Sequence, residues 1–311
     1  MAIPSALGAG DSQFKSEVPG HLVQQLRAAH VSKGGPLFWG DSMTPSRKYG
    51  CIPDRFDPRD IKLTVSQAPH LGTEADLSKW ASPAREQKGL GACVGFAGCG
   101  FREWIYRYFA KWKKGDYEPL YSPLDLYYRL RRSESTTYED GGATLRTLFH
   151  VLTSEGVALE YQKPYDVSRW LAAPTPAENV EALHARLGAY HRMTGLDTMR
   201  SCLAGDGPEK PGYPFVAGIA IYEGFETVTS GTGVLELPRP GDIFLGGHAV
   251  LVLGYNDRDR MFKARNSWGP KFGDGGDFRM PYEYAADPKL LFDAWMGHLG
   301  KPWKLTTPNE D

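Results

Sequence analysis

The sequence predicts an α+β protein of two lobes, helical in its first half and strand-rich in its second. One long stretch, Gly91 to Trp112, carries apolar residues at three- and four-residue steps, which is the period of a helix face. Two short runs rich in Val and Ile, Pro214–Tyr222 and His248–Tyr255, lie far downstream between Gly/Pro punctuation and read as strands. At 311 residues the chain is long enough for one large domain or two modest ones. A substrate site is expected in a cleft between such lobes.

Taken in chain order, residues 1 to about 50 form an extended arm. They hold one short helical candidate, His21 to His30, within Gly-, Pro- and Ser-rich sequence. The body begins near Ile52-Pro53-Asp54-Arg55 and runs to residue 311. The Gly91–Trp112 face (Cys93, Ala97, Phe101, Trp104, Ile105, Tyr108, Trp112) is broad and aromatic, so this helix should be central and buried. Further helices are expected over Pro123–Arg132, Ala143–Ser154 with Gly156 as its stop, and Ala177–Leu187. Phe262–Arg265 and Phe278–Met280 complete the expected strands.

Charge and composition narrow the function classes. A net charge of −1 gives no basic face for nucleic acid or an anionic membrane. No run reaches the roughly 18 apolar residues of a bilayer span. Met1 to Phe14 lacks the basic and apolar regions of a secretory signal, so the expectation is a cytoplasmic protein or one exported by another route. Four cysteines in a chain of this length make no disulfide framework and no C-x-x-C metal pair.

One cysteine stands apart chemically. A thiol nucleophile acts as thiolate, and a helix N-terminus and a nearby imidazolium both favour that form. Cys93 begins the central helix just after Gly89-Leu90-Gly91-Ala92, whereas Cys99 lies mid-helix, Cys202 in an apolar stretch and Cys51 before a turn. Among the eight histidines, His248 follows Gly246-Gly247 and opens an apolar run, which places it at a strand edge facing a cleft. Asn266 heads Asn266-Ser267-Trp268-Gly269, where it can orient an imidazole while Trp268 shields the polar pair from water. Gln87, six positions before Cys93, supplies a side-chain amide that can join the Cys93 N–H in an oxyanion site.

These blocks, in the order Gln87, Cys93, Gly247-His248-Ala249-Val250 and Asn266-Ser267-Trp268-Gly269, resemble the papain family of cysteine peptidases. The resemblance covers roughly residues 52 to 290 and implies a papain-like two-lobed fold. It also implies peptide or protein substrates and hydrolysis through a thioester, with no metal or organic cofactor needed. Glu139-Asp140-Gly141-Gly142 matches the family loop whose Gly-Gly backbone pairs with an extended substrate. With Gly247 and Trp268, Gly141 and Gly142 are therefore the expected substrate-binding residues. An ordinary turn is the other reading of that Gly-Gly pair.

Departures from the family are informative. The usual bridge cysteines are replaced by Leu90 and Glu139, so that disulfide is absent as a pair, as in bacterial members rather than lysosomal cathepsins. Val94 stands where an aromatic commonly follows the nucleophile, and Phe272 replaces a tryptophan. His248 lies 155 residues after Cys93, against about 130–150 for the family, and the excess is assigned to surface loops within Ala172–Tyr213. The arm is too short and irregular for the usual helical propeptide. It is expected to pack on the body and partly obstruct the cleft as an intramolecular inhibitor, the alternative being a disordered tail. Two other functions stay open: a Cys-His acyltransferase, and a catalytically silent papain-like binding protein.

Overall fold

The computed structural model describes residues 47–64, 72–111, 119–205, 212–230 and 233–300. The expected helix His21–His30, the arm before Arg47 and the Gly207-Pro208 loop lie outside the described residues, and the central helix, expected over Gly91–Trp112, runs only from Cys93 to Phe109.

The helical lobe is built on α1 (Cys93–Phe109), which packs against α2 (Pro123–Ser133) and α3 (Leu145–Ser154). Each partner has a chemical start signal. Ser122 caps α2 by accepting from Asp125 N, with Pro123 in the first turn, and Thr144 caps α3 by accepting from Thr147 N. Ala143 and Thr144 were expected in the helix, but they form the short strand β3 (Ala143–Thr144), pairing in parallel with β1 (Cys51–Ile52). A tertiary partner overrides their helical tendency.

The other lobe is, among the described residues, a seven-stranded antiparallel sheet. Its strands are β2 (Glu74–Asp76), β4 (Ala189–Arg192), β5 (Phe215–Tyr222), β6 (Phe244–Asn256), β7 (Met261–Arg265), β8 (Asp277–Pro281) and β9 (Leu291–His298). The order is β4-β9-β5-β6-β7-β8, with β2 added to β6. Within Ala172–Tyr213 the described residues hold regular elements where surface loops were expected. Thr175 makes a capping box with Glu178 at the head of α4 (Pro176–Ala182), and β4 and α5 (Leu196–Ala204) follow. The expected helix Ala177–Leu187 therefore ends early, passing into a 3-10 turn at Leu183–Ala185.

One apolar core joins the lobes. It runs from Trp104 and Ile105 on α1, through Phe149 on α3, to Trp295 on β9 and Val250 on β6. Trp104 is fully buried and donates its indole N–H to Leu77 O at 2.9 Å, so its burial leaves no orphaned donor. Buried charges are paired as well: Glu103 accepts from Arg85 at 2.8 Å and from Ser82, and Arg129 donates to Asp125 at 2.7 Å. The result is a fixed seam, with α1 on one side and β6 on the other. Among the described residues no helix is long and apolar enough to cross a membrane.

Candidate active site

Cys93 is the first residue of α1. Its N-cap, Ala92, offers no side-chain hydrogen bond, and the first turn carries no acidic residue. The N–H groups that open the helix are thus left to whatever negative charge arrives beside Cys93. Across the seam, His248 lies in the middle strand of the sheet, opposite Ile219 of β5. It does not open β6 as expected, because Phe244 to Gly247 are already extended and paired with β5. His248 Nε2 donates to Asn266 Oδ1 at 2.7 Å, and the same oxygen accepts from Ser267 N at 2.7 Å. A side-chain oxygen can only accept, so Nε2 carries the proton and the Nδ1 lone pair stays open. His248 Nδ1 is buried without a hydrogen-bond partner among the described residues.

Trp268 covers this pair, its ring centroid 5.3 Å from that of His248 and only 3% of its surface exposed. Phe272 and Phe225 pack behind it at 5.1 and 5.0 Å. Gln87 is held on both sides: Ser267 Oγ donates to its Oε1, and its Nε2 donates to Leu90 O at 2.9 Å. The structure thus brings Cys93 to the head of α1 and packs Gln87, His248, Asn266 and Trp268 along the seam.

The seam is occupied. Residues Arg47–Gly50 lie along it as a strap. Lys48 O accepts from Gln87 Nε2 at 3.0 Å, and Lys48 Nζ pairs with Asp140 at 2.6 Å. The Tyr49 ring sits 5.9 Å from His248 and 6.0 Å from Trp268, and its hydroxyl donates to Glu226 at 2.7 Å. Arg47 lies 4.1 Å over the Trp268 ring. Gly50 O accepts from Ala143 N at 2.9 Å, and the Gly50 N–H meets the Cys93 thiol. Backbones touch here: a Cβ on Gly142, which has φ +85°, would lie 2.1 Å from Gly50 O, so only glycine fits. Gly141 neighbours that contact, and Gly247 lies against Cys51 O. Of the expected substrate-binding residues, Gly142 and Trp268 touch the strap, Gly141 adjoins Gly142, and Gly247 lies against Cys51 just beyond the strap. Sequence reasoning missed the strap's partners Asp140 and Glu226, which nothing in local spacing marks.

Cover changes the electrostatics. Burial pushes the Cys93 thiol up to about 11, against backbone N–H groups of Ala249, Gly50 and Val94 that pull it down. Burial likewise pushes His248 down to about 4, its bond to Asn266 opposing. Both directions favour the uncharged forms, a thiol at Cys93 and a neutral imidazole at His248. All four cysteines are free and buried.

The family model for papain family cysteine proteases matches residues 132–287 of this chain, a span that holds His248 and Asn266. An uncharacterized peptidase C1-like protein of Acanthamoeba polyphaga mimivirus is 31% identical over 284 residues, covering 82% of this chain and 88% of its own. The chain belongs to the papain family of cysteine proteases. Xylellain, a cysteine protease from Xylella fastidiosa, superposes with a TM-score of 0.72 at 30% identity, over 84% of this chain and 100% of its own. Procathepsin B S9 of Trypanosoma congolense, at 14% identity, shares the fold with a TM-score of 0.60 over 81% of this chain and 87% of its own. The chain is thus a cysteine-type peptidase with the papain-like two-lobed fold, and its likeness to a bacterial member matches the expectation drawn from the missing bridge.

Proposed function

We propose that this papain-family chain hydrolyses peptide bonds with Cys93 as nucleophile, His248 as base, Asn266 as the group that orients the imidazole, and Gln87 with the Cys93 N–H as oxyanion donors. The single observation that carries this reading is the His248–Asn266 hydrogen bond of 2.7 Å beneath Trp268, which sets the tautomer a base needs. The Cys93 sulfur attacks the scissile carbonyl, and its proton passes to His248. Gln87 and the Cys93 N–H stabilise the oxyanion. His248 returns the proton to the leaving amine, then activates water to cleave the thioester. Gly141, Gly142, Gly247 and Trp268 border the substrate groove.

In this reading residues 1–50 are a restraining arm and 51–311 the peptidase body, with Arg47–Gly50 as the part of the arm that holds the site shut. Burial of the Cys93 thiol and of the His248 ring supports latency. The same burial favours a second reading, a catalytically silent binding protein. Incubation with an epoxysuccinyl peptide, followed by intact mass and adduct mapping, separates them. A single adduct on Cys93 that is lost in His248→Ala is the expected outcome. Absence of any adduct, with the arm present or displaced by substitution, supports the binding protein instead.

A further inference from the structure

The strap touches the proposed oxyanion donor and a carboxylate through one residue. The Lys48 carbonyl accepts from Gln87 Nε2 at 3.0 Å, and the Lys48 ammonium pairs with Asp140 Oδ2 at 2.6 Å. From this coincidence we propose that Asp140 is a specificity-determining carboxylate, and that the enzyme selects substrates with lysine or arginine on the carbonyl side of the scissile bond. The proposal rests on the catalytic reading above. It adds the substrate class.

Asp140 is fixed and close to the nucleophile. Its Oδ1 accepts from Gly91 N at 3.0 Å, two residues before Cys93, and from the Tyr127 hydroxyl at 2.7 Å. Neither bond involves the strap, so both persist when the strap leaves. Oδ2 takes its charged partner from Lys48, and with that partner in place the Asp140 side chain is only 11% exposed. Arg131, nearby, is turned away to the carbonyls of Thr137 and Trp170.

Strap release therefore leaves Asp140 Oδ2 without its ion-pair partner, Arg131 acting on the carboxylate only from a distance. A substrate bearing lysine or arginine restores the pair, with its carbonyl at Gln87 as the Lys48 carbonyl is now. A neutral residue covers that oxygen without restoring its ion pair, and sites built on a specific polar partner discriminate strongly against ligands lacking it. Lys48 is in this sense a resident stand-in for the preferred residue.

The test uses the full chain and two peptidyl chloromethyl ketones that differ only in the residue bearing the ketone, lysine or its neutral isostere norleucine. Alkylation of Cys93 is followed by intact mass in the wild type, Asp140→Asn and Lys48→Gln, with iodoacetamide as a neutral reference in each protein. Asparagine keeps an oxygen for Gly91 N and Tyr127, so the loop retains its support. The lysine reagent is expected to outpace the norleucine reagent at least about tenfold in the wild type and in Lys48→Gln, and the ratio to fall to about one in Asp140→Asn. A ratio near one in the wild type, or a ratio that survives Asp140→Asn, overturns the proposal. Should iodoacetamide and both ketones leave Cys93 unmodified in all three proteins, and still do so once Tyr49→Ala is added to each to loosen the strap, the catalytic reading itself has failed, and the specificity falls with it.

Discussion

The two ends of the segment 47–54 are held in opposite ways. Before Gly50 the anchors sit at the surface: Lys48 on Asp140, Tyr49 on Glu226 and Arg47 over Trp268, with the Lys48 side chain half exposed. After Gly50 they are buried: Asp54 N donates to Asp293 at 2.7 Å, Trp295 Nε1 donates to Asp54 at 2.7 Å, and Arg146 N donates to Asp54 at 3.1 Å. Exposed ion pairs contribute about 0–1 kcal/mol each, while breaking a buried network costs several. The contrast marks Gly50 as the point where a releasable strap meets a permanent wall, with the proposed nucleophile directly beneath.

Substitutions break this contrast most strongly at the buried end. Asp54→Ala orphans the Trp295 and Arg146 donors and is expected to cost about 3 kcal/mol in chemical denaturation. A cost below about 1 kcal/mol would erase the distinction between the ends. Phe149→Ala, beneath Trp295 in the core that joins the lobes, is expected to cost about 3–5 kcal/mol and calibrates that scale.

Acid sharpens the account next. Burial holds His191, His248 and His298 below the ordinary imidazole value. The unfolded chain takes up protons at these positions below about pH 6.5, and the folded chain does not, so stability falls as the pH drops from there toward 4. Asp54, Asp293 and Glu160, which burial holds above the ordinary carboxylate value, take up protons in the folded chain and oppose this loss, so the histidine contribution is read by comparison: between pH 7.5 and 5.5 His191→Gln is expected to lose less stability than the wild type, measured by unfolding midpoints. Equal losses in the two proteins contradict the burial of this ring.

The smallest thermodynamic effect belongs to the strap. Tyr49→Phe removes the bond to Glu226 and should change stability by less than about 1 kcal/mol. It should nonetheless speed Cys93 alkylation severalfold, measured by intact mass over time. Equal alkylation rates in the two proteins would mean that this latch does not hold the strap.

Much of this is legible in the sequence alone. The α1 period, the apolar runs of β5 and β6 and the glycine-marked blocks around Cys93, His248 and Asn266 are local signals; Cys93 does open its helix, whereas His248 lies within β6 rather than at its start. What stayed hidden depends on partners distant in sequence. All of Leu291–His298 is buried, so β9 lost the alternation that reveals a strand. β1, β2 and β4 are two to four residues long and exist because something pairs with them. Lys48 and Asp140 are 92 positions apart, and no spacing rule joins them.

The most direct test of the central claim, that the chain itself keeps its proposed nucleophile covered and neutral, is an equilibrium titration of thiolate absorbance near 240 nm in the full chain, with Cys93→Ser as the blank. The account expects no Cys93 thiolate between pH 6 and 8 in the wild type, since the thiol is held up to about 11, and its appearance in that range once Lys48→Gln and Tyr49→Ala loosen the strap. A Cys93 thiolate already present at neutral pH in the wild type would contradict it.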